Sequence, residues 1–405
     1  MRYVIFDDNK WSNFFPITFT RCTGDLRVGI LKLRQRIAGY FGFSENNIIT
    51  SSFLEGIYKE RHEDWKINDL TKEETLFINS RIKINKKIQK KIEKLPLNSC
   101  LINNNDVLAA KLIPAEKKIS SEDISTLFED LKKIEIDSVL LWEYTWELIK
   151  ENPDYITRDF EDFFYEKDNF FDTEPGITIM NPYNIWIGEG TIIKPGAVID
   201  ATQGPVILDE NARIMSNAVI IGPAYIGKNS IVKVGAKIYE GTSIGSVCKV
   251  GGEVEGTIFQ AYSNKQHDGF LGHSYIGEWV NLGADTNNSD LKNNYKNVKV
   301  YFYPENKKID SKSKFMGAII GDHTKTAICS VINTGTVIGA GCNLFGRDII
   351  KDFIHSFSWG EGADITEYKE EKFLETVEIV KQRRKLKLSK EEKKLFGNIR
   401  KLVID

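Results

Sequence analysis

An aliphatic residue occupies every sixth position of one stretch, and this spacing constrains the fold more than any other feature of the chain. The residues that keep it are Ile214, Ile220, Ile226, Val232, Ile238, Ile244 and Val250. A period of six matches neither the helical period of about 3.6 residues nor the alternation of a strand. It is typical of a hexapeptide-repeat parallel β-helix, in which each unit forms one short side and one corner of a coil. One coil cannot bury its apolar side alone, so the pattern predicts stacked coils.

The same spacing returns outside this run with a changed phase. The further positions that keep it are Ile187, Ile193, Ile199, Ile276, Leu282, Ile320, Thr326, Ile332, Ile338 and Leu344. Each change of phase indicates inserted residues, which we expect at roughly 200–213, 253–275 and 285–318. Because insertions in stacked repeats commonly form loops on one face, often the binding face, we expect chemistry in these segments.

Length, charge and apolar content exclude several classes of protein. A chain of 405 residues can hold two or three domains, and 41% apolar with 28% charged residues is ordinary for a soluble protein. The net charge of -2 gives no bulk attraction to nucleic acid or to an anionic membrane. The sequence holds no apolar run of about eighteen residues, so no membrane span is predicted. Residues 1–8 are typical of a strand rather than of a signal peptide.

The cysteines bear on the cellular compartment. The chain has five, scattered and without Cys-x-x-Cys spacing. This argues against a disulfide framework and against a zinc site. A reducing cytoplasm is therefore the expected compartment.

The residues before the repeats alternate between short apolar strands and helical segments. We expect strands at 2–6, 48–49, 75–78 and 99–102, and helices at 30–40, 107–112 and within 120–165. This alternation predicts an α/β domain with a mostly parallel sheet.

The predicted domains are 1–175, 176–366 for the β-helix, and a tail at 367–405, with the first boundary at the TEPG segment of 173–176. The tail is rich in Lys and Glu and predicts a helix over 369–384. We expect its basic residues to form a solvated helix face, with a nucleotide or partner contact as the alternative.

The segment FTRCTGDLRVG at 19–29 is the first candidate for phosphate binding. It follows the first strand and carries Arg21, Gly24, Asp25, Arg27 and Gly29. Ligands of open α/β sheets bind at the carboxyl ends of strands, and arginines bind phosphate in a bidentate manner. The segment matches no standard glycine-rich phosphate-binding motif. The alternative is that these arginines form salt bridges with Asp25 or Asp8.

Asp106 is the candidate metal ligand. It follows three asparagines at the end of a predicted strand. A carboxylate there suits Mg²⁺, which prefers hard oxygen ligands. The alternative role is the N-cap of the predicted helix at 107–112, for which Asp is well suited.

Polar and ionisable residues concentrate at 262–295, within an otherwise aliphatic scaffold. This segment holds His267 and His273, two of the five histidines, and Asp268 adjoins the first. A histidine near its ordinary pKa can act as general base towards an amine at neutral pH. Asn264, Lys265, Asn281 and Asn294 are candidates to fix hydroxyl, carbonyl and phosphate groups. The alternative is a loop histidine without a catalytic role, whose ring forms hydrogen bonds with neighbouring protein groups.

Three segments carry a resemblance to a known family. They are DDNKWSNFFPITFTRCTGDLRVGI at 7–30, YTWELIKENPDYITRDFE at 144–161 and, most specifically, HDGFLGHSYIGEWVNLGADTNNSDLKNNY at 267–295. The chain resembles the bifunctional uridyltransferase/acetyltransferases that make UDP-N-acetylglucosamine, in a variant bacterial form. The resemblance covers roughly residues 1–365. It implies a nucleotidyltransferase-like, Rossmann-like N-terminal domain, a left-handed parallel β-helix and a homotrimer.

The resemblance also implies roles for individual residues. His267 would be the base that deprotonates the sugar amine. Asn281, Asn294 and Tyr295 would contact the sugar, and Gly283 with Ala284 would line the acetyl-CoA site. The arginines and glycines of 19–29 would hold nucleotide phosphates, and Asp106 would bind Mg²⁺. The chain departs from the family where Asp285 replaces a third small residue.

The expected function is synthesis of a nucleotide sugar. The substrates would be UTP or another nucleoside triphosphate, a sugar 1-phosphate and, as cosubstrate, acetyl-CoA. One site would transfer acetyl to glucosamine 1-phosphate, and the other would transfer a uridylyl group to N-acetylglucosamine 1-phosphate. The alternative is a nucleotidyltransferase of single activity, possibly specific for dTTP and glucose 1-phosphate, whose β-helix is structural or regulatory.

Overall fold

A computed structural model shows how the chain folds and describes residues 1–137, 140–170 and 174–404. The predicted boundary segment 173–176 begins on Thr173, which lies outside the described residues. The division into 1–175, 176–366 and 367–405 therefore stays a prediction. No helix among the described residues is long and apolar enough to cross a membrane.

The N-terminal region is built on a mixed seven-stranded sheet in the order β3-β2-β1-β5-β7-β6-β9. Its strands, with a separate small pair formed by β4 and β8, are β1 (Arg2–Phe6), β2 (Asn47–Ile49), β3 (Lys66–Ile67), β4 (Asp69–Leu70), β5 (Thr75–Asn79), β6 (Ser99–Asn103), β7 (Asp106–Leu112), β8 (Lys117–Lys118) and β9 (Lys132–Glu135). Its helices are α1 (Leu33–Phe41), α2 (Glu55–Arg61), α3 (Lys86–Glu93) and α4 (Thr145–Phe163). Parallel pairing predominates, as predicted, but β7 runs antiparallel to both its neighbours.

The helix predicted over 107–112 is wrong, because these residues form strand β7. The reason is the turn before it. Asn104 and Asn105 both have positive φ, at 46° and 74°. Two such residues make the tight turn whose twist matches a β-hairpin, so the chain folds back as β7 beside β6.

The helical spacing predicted within 120–165 holds only for its last part. Helix α4 spans Thr145–Phe163, whereas the earlier residues form a short 3-10 turn at Ile124–Leu127 and strand β9. The buried face of α4 packs against the opening loop and against the coils that follow. The Asn152 amide donates to the carbonyl of Gly241 at 2.7 Å.

From residue 178 onward the chain winds through three parallel faces. The first holds Thr178–Met180, Val198–Asp200, Val219–Ile221, Lys237–Ile238, Glu253–Glu255 and Phe270–Gly272, then Asn287–Asn288 paired with Val331–Ile332. The second holds Ile185–Ile187, Val206–Leu208, Ala224–Ile226, Thr242–Ile244, Ile258–Phe259, Tyr275–Ile276, Ile319–Ile320, Val337–Ile338 and Phe353–Ile354. The third holds Ile192–Ile193, Arg213–Ile214, Ile231–Val232, Lys249–Val250, Asn264–Lys265, Lys325–Thr326, Asn343–Leu344 and Ser358–Gly360, to which Thr366–Glu367 adds as an antiparallel last strand.

The six-residue spacing places one aliphatic residue on each face in turn. All seven of these residues from Ile214 to Val250 are buried, none above 1% exposure, and they belong to one apolar core inside the coils. The predicted fold class, an α/β nucleotidyltransferase-like region followed by a hexapeptide β-helix, is confirmed. The packing shows why the repeat exists: each aliphatic side chain fills the prism between those of the coils above and below.

One of the three predicted insertions is wrong. At 200–213 the coil is longer than its neighbours, because 21 residues separate the paired Ile187 and Leu208, whereas 18 separate Ile226 and Ile244. At 253–275 the coils are instead shorter: 15 residues separate the paired Lys249 and Asn264, and 17 separate Glu253 and Phe270. The segment 285–318 keeps one coil strand, Asn287–Asn288, and then leaves the coil as an antiparallel hairpin of Lys299–Phe302 and Lys307–Asp310.

The tail returns to both earlier regions. It forms helices α5 (Glu370–Gln382) and α6 (Lys390–Ile404). Glu392 of α6 pairs with Lys381 of α5 and lies 3.6 Å from Arg61 of α2. Phe373 and Phe396 pack into a core shared with α2 and the last coils. The tail therefore joins the coils to the N-terminal region.

Candidate functional sites

The carboxyl ends of β1, β2 and β5 meet at one edge of the N-terminal sheet. Asp7 follows β1 and accepts hydrogen bonds from the Thr50 hydroxyl at 2.9 Å, the Ser80 hydroxyl at 2.6 Å and the Thr23 N–H at 3.2 Å. It is 3% exposed. Burial raises the pKa of Asp7 to about 6, against the lowering effect of these hydrogen bonds. Asp7 therefore ties the strand ends to the opening loop and is not free to bind a ligand.

A cluster of charges lies in front of this edge, and we call it the edge cluster. It consists of the carboxylates Asp8, Asp106 and Glu143 and the cations Lys10 and Arg81. Arg81 holds Asp8 at 2.6 Å and Glu143 at 3.0 Å, and Lys10 holds Asp106 at 2.7 Å.

The electrostatics of the edge cluster favour fixed, ionised groups. Burial alone would raise the pKa of Asp8, but Arg81 and the Asn79 amide hold it below its ordinary value. Arg81 is fully buried and its pKa is raised by its carboxylate partners, which outweigh desolvation. Asp106 is partly exposed and lies within reach of both cations. It is a hairpin residue, not the N-cap that we considered as its alternative role.

The predicted phosphate-binding residues of 19–29 lie elsewhere, between the N-terminal region and the coils. Arg21 is 3% exposed and forms an ion pair with Asp322, with Glu278 at 3.6 Å. Arg21 does not form the salt bridge with Asp25 or Asp8 that we considered as the alternative. Its carboxylate partners lie on distant coils instead. The Nη1 atom of Arg21 is buried without a partner among the described residues.

The other members of this segment are also held by protein groups. Arg27 donates through its guanidinium to the carbonyl of Ile30, and its backbone N–H donates to the Tyr275 hydroxyl at 2.9 Å. Asp25 pairs with Lys32 at 2.8 Å and with Arg34 at 2.9 Å.

Gly29 has φ of 67°, and a side chain there would lie within 2.7 Å of the Tyr155 carbonyl. Gly24 is buried in a 3-10 turn, and a Cβ added to it would lie 3.2 Å from the Cβ of Arg34. The segment is packed between the N-terminal region and the coils, and its phosphate-binding role stays a prediction.

His267 lies at an exposed corner of the coils, after the third-face strand Asn264–Lys265. Its carbonyl accepts a hydrogen bond from the Lys265 ammonium at 2.8 Å. Burial lowers the pKa of Lys265 to about 8, because the lysine takes an inward position where the pattern has aliphatic residues. No hydrogen bond to the His267 ring occurs among the described residues. Its imidazole is therefore free to meet a substrate.

The second histidine of this segment has an orienting partner that the sequence did not reveal. His273 Nδ1 lies 2.7 Å from the carboxylate of Asp290, and its ring packs against Phe315 at 5.2 Å. Glu255 lies near this pair, and burial raises its pKa. The sequence does not reveal the pairing of His273 with Asp290, because 17 residues separate the two and they meet only when one coil stacks on the next. A carboxylate at one ring nitrogen fixes the tautomer and leaves the other nitrogen for further contacts.

The predicted acetyl-CoA residues differ in their free backbone groups. The Gly283 N–H donates to the Thr326 hydroxyl at 3.2 Å. The Ala284 carbonyl accepts from Cys329 at 2.7 Å, whereas no acceptor for its N–H occurs among the described residues. Of the two, Ala284 retains a donor for a ligand.

The predicted sugar-binding residues are not brought together. Asn281 lies on the third face, where its amide oxygen accepts from Asn264 at 3.4 Å. Asn294 and Tyr295 lie on the exposed loop before the hairpin, and Tyr295 is 66% exposed. Asn294 lines a cavity of about 490 Å³ with Lys292 and Lys308. Their sugar-binding role stays a prediction.

Residues 3–167 match the family model described as sugar nucleotidyl transferase. This region is similar to that family. The match covers helix α4 and the N-terminal sheet from Tyr3 onward, including every member of the edge cluster. The resemblance inferred from the sequence is confirmed.

The curated relatives that the chain matches are named as bifunctional proteins, and one name gives both activities. The chain is 35% identical over 154 residues to a bifunctional sugar-1-phosphate nucleotidylyltransferase/acetyltransferase of Sulfurisphaera tokodaii, covering 36% of this chain and 37% of the relative. It is 37% identical over 121 residues to the bifunctional protein GlmU of Methanococcus aeolicus, covering 28% of each. It is 30% identical over 198 residues to GlmU of Wigglesworthia glossinidia brevipalpis, covering 47% and 38%. The chain thus matches less than two fifths of each relative's length.

Proposed function

We propose that the protein makes a nucleotide sugar in two steps, an acetyl transfer on the coils and a nucleotidyl transfer on the N-terminal sheet. The observation that carries the proposal is the edge cluster at the carboxyl ends of the strands, inside the region that matches sugar nucleotidyl transferases. The relative of Sulfurisphaera tokodaii, named for both activities, and the relatives named as bifunctional support adding the second step. The proposed substrates are UTP, glucosamine 1-phosphate and acetyl-CoA.

The edge cluster has the charges that nucleotidyl transfer requires. A sugar phosphate attacks the α-phosphorus of the nucleotide, the bond to the β-phosphate oxygen breaks, and pyrophosphate leaves. Lys10 and Arg81 would offset negative charge on the phosphates. Arg81 is fixed by Asp8 and Glu143, so only Lys10 can change partners without breaking a buried network.

Asp106 fits a magnesium ion bound together with substrate phosphates. Mg²⁺ in such sites uses one or two protein carboxylates, keeping water and phosphate oxygens as its other ligands. Asp106 is the partly exposed carboxylate of the edge cluster that is held by a flexible lysine. No group of three His, Cys, Asp or Glu residues suited to a metal occurs in the described part of the chain. The ion would supply charge neutralisation when bound with the nucleotide.

For acetyl transfer, His267 is the proposed base. It would take a proton from the sugar ammonium or attacking amine, whose nitrogen bonds to the thioester carbonyl carbon. The C–S bond then breaks, and the proton taken up by His267 passes to the sulfur, so that coenzyme A leaves as the thiol. The N–H of Ala284, without an acceptor among the described residues, is the proposed donor to the developing oxyanion.

A homotrimer and a cytoplasmic location are part of the proposal. His267 is exposed in the single chain, and within the described residues no hydrogen bond joins it to Asn294 or Tyr295. Surfaces of a second copy would bring further groups to this corner. The proposal places the sugar between copies, and measurement of molar mass by light scattering tests this part.

The experiment is a pair of assays on the purified full chain. Pyrophosphate release is measured with a panel of nucleoside triphosphates and sugar 1-phosphates, with Mg²⁺ or with EDTA. Free thiol is measured with acetyl-CoA and glucosamine 1-phosphate. The proposal expects both signals, with pyrophosphate release lost in EDTA. Pyrophosphate without thiol would remove the acetyl-transfer step, and thiol without pyrophosphate would remove the nucleotidyl-transfer step.

A further inference from the structure

Lys265 occupies a position inside the coils that the repeat gives to an aliphatic side chain. It pairs with Val250 of the preceding coil and is 1% exposed. Its ammonium forms no salt bridge within the described residues, and its hydrogen bonds go to backbone carbonyls. A buried ammonium without a carboxylate partner costs free energy, so these backbone contacts have to offset that cost.

The ammonium of Lys265 lies between the corners of two successive coils. It donates to the carbonyl of His267 at 2.8 Å and to the carbonyl of Gly251 at 3.3 Å. Gly252, with φ of 71°, leaves room for this contact. A Cβ at Gly252 would lie 2.8 Å from the Lys265 Nζ and 2.8 Å from the His267 carbonyl oxygen. The ammonium is therefore packed against the backbone of both corners.

The corner that carries His267 is two residues longer than the corner of the coil before it. Residues 266–269 separate the strands Asn264–Lys265 and Phe270–Gly272, whereas 251–252 alone separate the strands that pair with them. His267 is exposed at this longer corner. The added residues therefore project from the coils at the point where the proposed base lies.

Hydrogen bonds between coils use two of the carbonyls at this corner. The carbonyl of Asp268 accepts from the N–H of Asp285 on the next coil at 3.1 Å. The carbonyl of Gly269 accepts from the N–H of Glu253 on the preceding coil at 3.2 Å. The part of the corner that follows His267 is therefore tied to both neighbouring coils.

The carbonyls of Gly251 and His267 lack such backbone donors. No backbone N–H donates to either of them among the described residues, and the donor to both is the Lys265 side chain. Backbone carbonyls inside a fold need a hydrogen-bond partner. An aliphatic residue at position 265 would leave both carbonyls without one. Lys265 therefore makes the longer corner compatible with the packed coils.

We propose that Lys265 is a positioning residue for acetyl transfer, which holds the corner at 266–269 so that the imidazole of His267 faces a substrate outside the coils. This inference rests on the proposed function, in which His267 is the base. Lys265 does not touch the reacting atoms, because its ammonium lies inside the coils whereas His267 is exposed. It acts through the main chain of His267.

The place of the His267 imidazole depends on that main chain, since no hydrogen bond to the ring occurs among the described residues. A general base has to lie within hydrogen-bond reach of the proton that it takes. A displacement of about 1 Å lowers a rate by about a hundredfold. Loss of the Lys265 contact should therefore slow the chemical step more than it weakens the binding of acetyl-CoA.

The test compares thiol release by the unmodified full chain, Lys265→Met and Lys265→Gln, with acetyl-CoA and glucosamine 1-phosphate as substrates. Methionine fills the inward position without donating a hydrogen bond, whereas glutamine keeps two amide N–H donors. We expect kcat of Lys265→Met to fall by about ten- to a hundredfold, with KM for acetyl-CoA within about twofold. Lys265→Gln should retain several-fold more activity than Lys265→Met.

Two controls separate positioning from loss of the fold. Lys237→Met removes an exposed lysine from the strand Lys237–Ile238 of the first face and should leave thiol release unchanged. Pyrophosphate release should stay within about twofold in every variant, because the edge cluster lies at the N-terminal sheet. Thermal unfolding checks that each variant keeps its fold.

Hydrogen exchange gives a readout that does not require activity. The amides of Glu253 and Asp285 donate to the corner at 266–269, so their exchange reports whether the corner stays in place. Both should exchange several-fold faster in Lys265→Met than in the unmodified chain, and at an unchanged rate in Lys237→Met. If the unmodified chain releases no thiol, the proposed function fails, and this exchange alone decides whether Lys265 holds the corner.

Three results would overturn the inference. The first is an unmodified chain that releases thiol together with an unchanged kcat in Lys265→Met. The second is that Lys265→Gln is as slow as Lys265→Met, which would show that the hydrogen-bond donors do not matter. The third is an unchanged exchange rate of Glu253 and Asp285 in Lys265→Met.

Discussion

The edge cluster of the N-terminal sheet and the corner that carries His267 are organised in opposite ways. Each charge of the edge cluster has a partner of opposite sign within the same chain. The ring of His267 has no hydrogen-bond partner among the described residues, and its corner is exposed. His267 lies at a corner after a strand, and Asp8 and Arg81 lie just beyond the ends of β1 and β5.

The difference indicates what each site needs before it can act. The edge cluster is preorganised, so in the proposed reaction substrate binding would displace only Lys10 from Asp106. Among the described residues no hydrogen-bond partner orients the ring of His267, so in the proposed reaction substrate or another copy of the chain would supply one. We expect mutations to separate the two sites cleanly, and the predictions below run from the largest expected effect to the smallest.

Replacing His267 by Ala should reduce the rate of thiol release from acetyl-CoA by about a hundred- to ten-thousand-fold, the range for loss of a general base. Pyrophosphate release should stay within twofold. His273→Ala is the matched control, because it removes a histidine that Asp290 already holds. If His273→Ala has the larger effect on thiol release, the oriented histidine is the base and the assignment of His267 is wrong.

Replacing Arg21 by Met should lower the free energy of unfolding by about 3–5 kcal/mol, because it leaves Asp322 and Glu278 buried without their cation. Chemical denaturation measures the change. The double variant R21M/D322N should recover part of the loss, and the exposed Arg347→Met should change stability little. An unchanged stability with a large increase in KM for the nucleotide would instead place Arg21 in the phosphate site.

Asp7 makes stability depend on pH. Its pKa of about 6 in the folded chain lies above the ordinary value of 3.8, so the folded state binds the proton more tightly than the unfolded state. Its contribution to the free energy of unfolding is therefore greatest below pH 4 and falls as pH rises to about 6. Relative to Asp7→Asn, the unmodified chain should lose about 2 kcal/mol between these limits. Denaturation curves for both proteins at pH 4 and pH 7 give this difference, and a constant gap would contradict the burial of an ionisable Asp7.

The smallest expected effect is the change in stability caused by substitutions in the turn before Asp106. Asn105→Ala should destabilise the chain by about 1 kcal/mol, since φ of 74° is unfavourable for a residue with a Cβ and without a local polar contact. Asn105→Gly should be nearly neutral, because glycine adopts this conformation freely. Thermal unfolding compares the two. Equal stability of both variants would mean that the turn does not hold the edge cluster in place.

The coil was predictable because one physical requirement repeats at a fixed spacing. An inward aliphatic side chain recurs every six residues from Ile214 to Val250, and each is buried as expected. The prediction failed where the requirement changed. Lys265 fills an inward position with a buried ammonium, and shortened coils shift the phase without leaving the prism.

The candidate sites were less predictable, since their contacts join residues far apart in sequence. The strand before Asp106 was predictable from its apolar residues, but the hairpin depends on the positive φ of Asn104 and Asn105, which the strand pattern does not indicate. The partner of Arg21 lies 301 residues away, and the arginines of the tail reach a cavity on the coils. Such pairings depend on how regions pack, which local sequence does not encode.

The central claim is that one chain carries two separate catalytic sites. The most direct test measures pyrophosphate release and thiol release on the same preparations of Asp106→Ala, His267→Ala and the exposed control Asp123→Ala. The account predicts that Asp106→Ala loses pyrophosphate release alone, that His267→Ala loses thiol release alone, and that Asp123→Ala keeps both. Loss of both activities in either variant, with the fold intact, would contradict the separation of the two sites.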